Sequence, residues 1–152
     1  MDKNKTSSSI DKLVFLDVEA SDQNTFFQII ADRLFHLGYV KETFYQGLAE
    51  REAHYPTGLP SVPYAVAIPH CDPVNVVKEG MAIVRFKDPI IFREMGTEDK
   101  TQSCKFAFVL MIKGVHEVSI LSSLMKIFNN KDLMEQMISG NEAEIANIFQ
   151  KV

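Results

Sequence analysis

The sequence predicts a single α/β domain in which helices flank a mixed β-sheet of about five strands. Short apolar runs of strand length are interspersed with segments whose apolar residues recur at helical spacing, and this mixture is typical of a layered α/β domain. The chain has 152 residues, of which 46% are hydrophobic and 24% charged, a balance that suits one globular domain with a substantial core. We expect residues 10–152 to form this domain and the polar residues 1–9 to be a flexible terminus.

The first third of the chain predicts one strand and two helices. Residues 13–16 form an apolar run of strand length. Ser21 and Asp22 offer a helix N-cap, and apolar residues then recur at helical spacing until Gly38 ends the helix. A second helix is predicted from residue 41 to residue 54. Residues 55–63, with three prolines and a glycine, are predicted to be a loop without regular structure.

The rest of the chain predicts further strands followed by three helices. Residues 65–68 form an apolar run that reads as a buried strand. Residues 81–86 form another, and Asp88-Pro89 is predicted to end it, which leaves residues 90–92 as a short edge piece. Residues 105–113 are almost wholly apolar and are therefore predicted to be buried on both faces of the sheet. The helices are predicted at residues 116–128, at residues 131–139 and, after Gly140-Asn141, through Phe149.

Charge and composition exclude several classes of function. The formal net charge is −4 and no Lys/Arg run is present, so we expect no nucleic-acid partner. No stretch approaches the roughly 18 apolar residues of a membrane span, and no secretion signal is recognisable, so we expect a cytoplasmic protein that does not insert into the membrane. Cys71 and Cys104 form no C-x-x-C pair, which indicates neither a disulfide framework nor a zinc motif.

The candidate nucleophile is His70, which follows Pro69 at the end of the predicted strand. Proline cannot donate to a strand ladder, so the histidine lies on the loop just past the strand, where α/β proteins place their chemistry. A neutral imidazole there can act as a base, a metal ligand or a phosphoryl acceptor. The alternative is that His70 only caps a turn.

Three arrangements of reactive side chains include this position. The first is a metal site, whose ligands would be His70, Cys71, Cys104 and His116. It is disfavoured, because adjacent side chains in an extended segment point to opposite sides and no pair of these residues has zinc-like spacing. A thiol nucleophile at Cys71, activated by the adjacent imidazole, is the second, although no oxyanion motif accompanies it.

The third arrangement makes His70 the acceptor of a phosphoryl group. A phosphohistidine carries roughly two negative charges, so its pocket needs hydrogen-bond donors and cations. Residues that bracket His70 in the chain supply them: Arg51, Thr57, Ser61 and His116. The alternative for Arg51 is a solvated residue at a helix end.

These residues carry a resemblance to a known family. Ala67-Ile68-Pro69-His70 resembles the phosphorylation motif of the IIA components of the sugar phosphotransferase system, in the type 2 class that contains the fructose, mannitol and galactitol proteins. The similarity runs from about Leu13 to the end of the chain. Residues 92–96 and Asp72-Pro73 resemble the galactitol branch more than the mannitol branch. Further matching positions are Arg51-Glu52, Thr57-Gly58, Gly114-Val115-His116, Leu121, Leu124 and Phe128.

The resemblance implies a mannitol-type IIA fold and a phosphoryl-transfer role without a cofactor or metal. His70 would take a phosphoryl group from the carrier protein HPr and pass it to a cysteine of a IIB component, with the IIC membrane transporter involved only indirectly. His116 would match the family's second active-site histidine, which hydrogen-bonds the phosphorylated one, and Arg51 its pocket arginine. The alternative is a regulatory domain in which phosphorylation of His70 controls binding to another protein.

The sequence departs from the family pattern on both sides of the motif. Pro63-Tyr64-Ala65 stands where many members have glycines, and Cys71 follows the histidine where glycine or threonine is common. Neither change removes the nucleophile. Because two protein partners must reach His70 in turn, we expect it to lie in a shallow, accessible depression.

Overall fold

The computed structural model describes residues 10–114 and 116–152. One five-stranded sheet forms its centre, with the strands in the order β1-β4-β5-β3-β2. The pairs β1–β4 and β3–β5 are parallel, whereas β4–β5 and β2–β3 are antiparallel, so the predicted mixed sheet of about five strands is confirmed. The strands are β1 (Asp11–Val18), β2 (Gly58–Leu59), β3 (Ala65–Ala67), β4 (Gly80–Arg93) and β5 (Thr101–Met111).

In residues 10–114 and 116–152, five α-helices cover the two faces of the sheet, and a short 3-10 turn spans Pro73–Asn75. The predicted N-cap is confirmed, because the Asp22 carboxylate accepts a hydrogen bond from the backbone N–H of Thr25 at 2.8 Å. Asn141 and Glu144 form a capping box at the start of the last helix. The helices are α1 (Gln23–His36), α2 (Phe44–His54), α3 (Glu117–Phe128), α4 (Lys131–Ser139) and α5 (Glu142–Ile148).

The sheet separates two hydrophobic cores, and β5 contributes to both. Ala107, Val109 and Met111 face the core formed with α1 and α2. Phe106 and Phe108 face the core formed with the three C-terminal helices. Because side chains alternate along a strand, an almost continuous apolar run fills both sides, and the predicted two-sided burial of this strand is confirmed.

Three of the predicted boundaries are wrong, and one short strand was missed. β4 does not end at Asp88-Pro89 but continues to Arg93, and its pairing with β5 shifts register between Arg85 and Ile90, where an exposed proline needs no ladder partner. Gly58–Leu59 lies inside the predicted loop yet pairs with β3 as a two-residue strand. α2 begins at Phe44, three residues later than predicted, and β5 begins earlier, at Thr101.

The expected flexible terminus, residues 1–9, lies outside the described residues, as does Val115 of the Gly114–His116 motif. No helix in the described part of the chain is long and apolar enough to cross a membrane.

Candidate active site

The fold places His70 just beyond the C-terminal end of β3, an interior strand of the sheet. The backbone N–H of Leu110 in β5 donates to the carbonyl of Pro69 at 2.9 Å, which extends the β3–β5 contact up to the residue before the histidine. The His70 side chain is 15% exposed. The imidazole is therefore partly accessible to solvent, while the backbone before it is held by β5, the central strand.

A backbone hydrogen bond decides which ring nitrogen of His70 is free. Nδ1 lies 2.7 Å from the carbonyl oxygen of Ile68. A carbonyl only accepts, so Nδ1 carries the proton and donates it, and in the neutral imidazole Nε2 keeps its lone pair. Nε2 lies 3.7 Å from a carboxylate oxygen of Glu117, the first residue of α3. The nucleophilic nitrogen thus faces the start of that helix.

His116 is the N-cap residue of α3, which brings it to the same end of the fold as His70. Its Nε2 lies 3.8 Å from a carboxylate oxygen of Glu79, and the other oxygen of Glu79 accepts a hydrogen bond from the backbone N–H of Lys113 at 2.7 Å. Within residues 10–114 and 116–152, no hydrogen bond joins the two imidazoles. Sequence reasoning missed that Glu117, the neighbour of His116, is the α3 residue in contact with His70.

Arg51 lies in the last turn of α2, with its guanidinium carbon 5.0 Å from the centre of the Tyr55 ring. With Asp72 and Asn75 it lines an open depression beside the segment that follows His70. Its positive charge acts on the thiol of Cys71, the residue next to the nucleophile. The fold therefore brings Arg51 close to the segment that directly follows His70, although the two residues are far apart in the sequence.

The two predicted hydroxyl ligands are both hydrogen-bonded within the protein. Thr57 is 2% exposed; its hydroxyl donates to the Glu52 carboxylate at 3.0 Å and accepts from the backbone N–H of Ile68 at 3.2 Å. Ser61 donates its hydroxyl to the carbonyl of Tyr64 at 2.6 Å. Phosphate binding by Thr57 or Ser61 stays a prediction, since in this structure each hydroxyl holds a neighbouring segment in place.

Glu52 is a buried carboxyl group that sequence reasoning did not assign to the site. It is 3% exposed, and this burial raises its pKa to about 7, although hydrogen bonds from Thr57 and the positive charge of Arg93 act in the opposite direction. A chain of hydrogen bonds runs from Glu52 through the Thr57 hydroxyl to the N–H of Ile68, whose carbonyl holds His70. The buried Glu52 and Thr57 thus support His70 through the backbone of a single residue, Ile68.

Cys71 has a packing role that the sequence did not reveal. Its side chain belongs to the core on the α2 side, and a Cβ atom added at Gly47 would lie 2.9 Å from its sulfur. Burial raises the pKa of the thiol to about 11, so the thiolate needed for nucleophilic attack is disfavoured. Cys104 is also buried, and the described residues contain no group of three or more side chains placed to bind a metal.

Fold and site define a class: an α/β domain in which a histidine just beyond an interior strand of the sheet has one ring nitrogen hydrogen-bonded to the backbone and the other free. A sequence model of the phosphoenolpyruvate-dependent sugar phosphotransferase system, EIIA 2, matches residues 10–152. The chain therefore belongs to this family of phosphoryl-transfer components, and the recognition made from the sequence is confirmed.

Individual relatives agree with this assignment. The galactitol-specific EIIA component of the phosphotransferase system of Escherichia coli (strain K12) is 24% identical over 123 residues, which cover 80% of this chain and 81% of that protein. Enzyme IIA mannitol from Escherichia coli, solved in complex with phosphorylated enzyme IIB mannitol, has a similar fold, with a TM-score of 0.73 and 18% identity over 90% of this chain and 92% of that one. The nitrogen regulatory protein IIA-Ntr from Neisseria meningitidis has a TM-score of 0.67 and 21% identity over 90% and 91%. The predicted mannitol-type fold is confirmed.

Proposed function

We propose that this chain is a cytoplasmic phosphoryl carrier that accepts a phosphoryl group from phospho-HPr on Nε2 of His70 and passes it to a cysteine of a IIB component during sugar uptake. The proposal depends on one observation above all, the 2.7 Å contact that commits Nδ1 of His70 to the carbonyl of Ile68. With one nitrogen engaged as a donor, only the other can attack phosphorus.

The transfer needs no acid or metal at His70. The Nε2 lone pair forms the new N–P bond while the N–P bond on the donor histidine breaks, and the donor nitrogen keeps that electron pair. Positive charge that develops on the His70 ring is shared with Nδ1–H, whose hydrogen bond to Ile68 thereby becomes charge-assisted. Onward transfer reverses the step, with a cysteine thiolate of IIB as the attacking atom. Since phosphoryl transfer depends mainly on positioning and electrostatics, a ring held by the backbone suits it.

The remaining site residues would neutralise the phosphoryl charge. Arg51 lies beside the segment after His70 and offers a cation with several donors. His116 has a side chain that is 42% exposed and only a 3.8 Å contact to Glu79, so its imidazole has room to turn toward a phosphoryl group on His70. The IIC transporter would receive the phosphoryl group only through IIB.

Phosphorylation by purified components tests the proposal. The full chain, incubated with phosphoenolpyruvate, enzyme I and HPr, is expected to gain one acid-labile phosphoryl group in intact-mass measurements, and His70→Ala none. His36→Ala is the matched control, because the His36 Nδ1 also contacts a backbone carbonyl, that of Asp32 at 2.8 Å, but on an exposed helix face. No mass gain in the unmodified chain, or an equal gain in His70→Ala, contradicts the proposal.

A second function shares the site but differs in the acceptor. The similarity to nitrogen regulatory protein IIA-Ntr favours a regulatory domain whose phosphorylation state controls binding to another protein. Mixing the phosphorylated chain with a galactitol-type IIB protein separates the two. Loss of the phosphoryl group from His70 together with its gain on the IIB cysteine supports the carrier; a stable phospho-form that binds a target without transfer supports regulation.

A further inference from the structure

The nitrogen that would accept the phosphoryl group is opposed by a negative charge. The carboxylate of Glu117 lies 3.7 Å from Nε2 of His70, with the Glu117 side chain 42% exposed and that of His70 15% exposed. The start of α3 fixes the backbone of Glu117, because the Glu117 N–H donates to the carbonyl of Gly114 at 3.0 Å and the Ile120 N–H donates to the carbonyl of His116 at 3.0 Å. The contact is therefore set by where the helix begins.

Phosphorylation would bring like charges together at this contact. A phosphoryl group on Nε2 adds roughly two negative charges next to the carboxylate. The ring cannot turn away without losing the hydrogen bond between Nδ1 and Ile68. An unmodified imidazole carries no negative charge, so it does not repel the carboxylate. Glu117 thus raises the free energy of the phosphorylated state relative to the free state.

We propose that Glu117 sets the phosphoryl-transfer potential of His70, making its phosphoryl group easier to pass on and harder to accumulate. This inference rests on the proposed carrier function. Glu117 makes and breaks no bond: the phosphoryl group moves between the donor nitrogen and Nε2, each nitrogen supplies or recovers its own electron pair, and no proton is exchanged with the carboxylate. Its contribution is the charge that faces the product of the first transfer.

The size of the expected shift in the phosphorylation equilibrium depends on how exposed the Glu117 and His70 side chains are. A half-exposed carboxylate is screened by water and can partly swing away, so each charge pair shifts an equilibrium by up to about fivefold. The roughly twofold charge of the phosphoryl group and the small exposure of His70 increase the shift. We expect the equilibrium to change roughly five- to tenfold when the charge is removed.

The test is the partition of phosphoryl groups between HPr and this chain at equilibrium. Enzyme I and a limiting amount of phosphoenolpyruvate are added to both proteins at about pH 8, where free imidazoles are neutral, and intact masses give the phosphorylated fraction of each. Glu117→Gln is expected to shift the partition roughly five- to tenfold toward this chain, and Glu117→Lys further in the same direction. Thermal unfolding of each variant verifies that it is folded.

Glu142→Gln is the matched control. Glu142 is the first residue of α5, as Glu117 is of α3, so both changes remove a carboxylate from a helix N-terminus, but only one faces His70. A partition unchanged in Glu117→Gln and Glu117→Lys, or shifted equally in Glu142→Gln, overturns the inference while leaving the carrier function intact. If the unmodified chain takes up no phosphoryl group, the proposed function fails and this inference fails with it.

Discussion

Replacement of Glu52 by Gln is expected to remove a pH dependence from the stability of this protein. Burial of the Glu52 carboxyl raises its pKa from 4.5 to about 7. The folded chain therefore holds this proton more tightly than the unfolded chain does. The stability that the group contributes is fully present below about pH 4.5 and is lost as the pH rises through about 7.

The size of the loss follows from the shift. Each unit of difference between the folded and unfolded pKa corresponds to about 1.4 kcal/mol, so a rise from 4.5 to about 7 is worth about 3 kcal/mol of the free energy of unfolding once Glu52 ionises. The Asp11 pKa is lowered by hydrogen bonds from Tyr39 and Lys78, and its opposite contribution is lost only as the pH falls below the ordinary value of 3.8. The window between the two Glu52 values is therefore free of that effect.

Urea unfolding followed by circular dichroism, repeated from about pH 5 to about pH 8, measures this difference. Gln is uncharged throughout and can still accept the hydrogen bond from the backbone of Thr57. The unmodified chain should lose about 2.5 kcal/mol relative to Glu52→Gln across this range, since part of the full effect already falls below about pH 5, whereas Glu50→Gln, an exposed change on the same helix, should follow the unmodified chain. Parallel pH profiles for the unmodified chain and Glu52→Gln would refute the assigned ionisation.

Two further predictions concern the surroundings of His70. His116→Ala should leave His70 open to phosphorylation but slow transfer to IIB about ten- to a hundredfold, because it removes a charge-assisted hydrogen bond to the phosphoryl group in the transition state, and unchanged single-turnover rates would argue against its role. Gly47→Ala should destabilise the fold by about 1–3 kcal/mol, because its Cβ would lie 2.9 Å from the Cys71 sulfur and 2.8 Å from the Asn75 amide nitrogen. Thermal unfolding should show partial recovery in Gly47→Ala/Cys71→Ala, and no recovery would place the clash elsewhere.

The parts of the fold that follow from local patterns were predictable. The cap at Asp22 and the two-sided burial of β5 depend on neighbouring residues, and both are confirmed. The break predicted at Pro89 is wrong because a register shift lets the strand continue past a residue that cannot donate. β2 was missed because two residues become a strand only by pairing with β3 across the intervening loop, a contact that local propensity does not encode.

The candidate site also contains features that follow from local sequence signals and features that depend on contacts between distant segments. The position of His70 past a strand follows from Pro69, a local signal. The contact with Glu117 does not, since it depends on the residue at which α3 begins and on which first-turn side chain then faces β3. Glu52 carried a usable signal: it follows Phe44 and Leu48 at intervals of four residues, on the buried stripe of α2. A carboxyl on that stripe indicates a polar group with an interior partner.

The two nitrogens of the His70 ring have different surroundings, and each meets a different requirement of a phosphoryl carrier. Nδ1 is held from the interior, because Glu52 and Thr57 fix the N–H of Ile68, and the carbonyl of the same residue accepts the hydrogen bond from Nδ1. Nε2 faces the charged start of α3. A carrier needs a ring rigid enough to keep Nε2 in line with the attacked phosphorus atom, and a phosphoryl group that is not bound too tightly to leave. Rigidity comes from the sheet side and lability from Glu117, so a substitution at either place should change one property without the other.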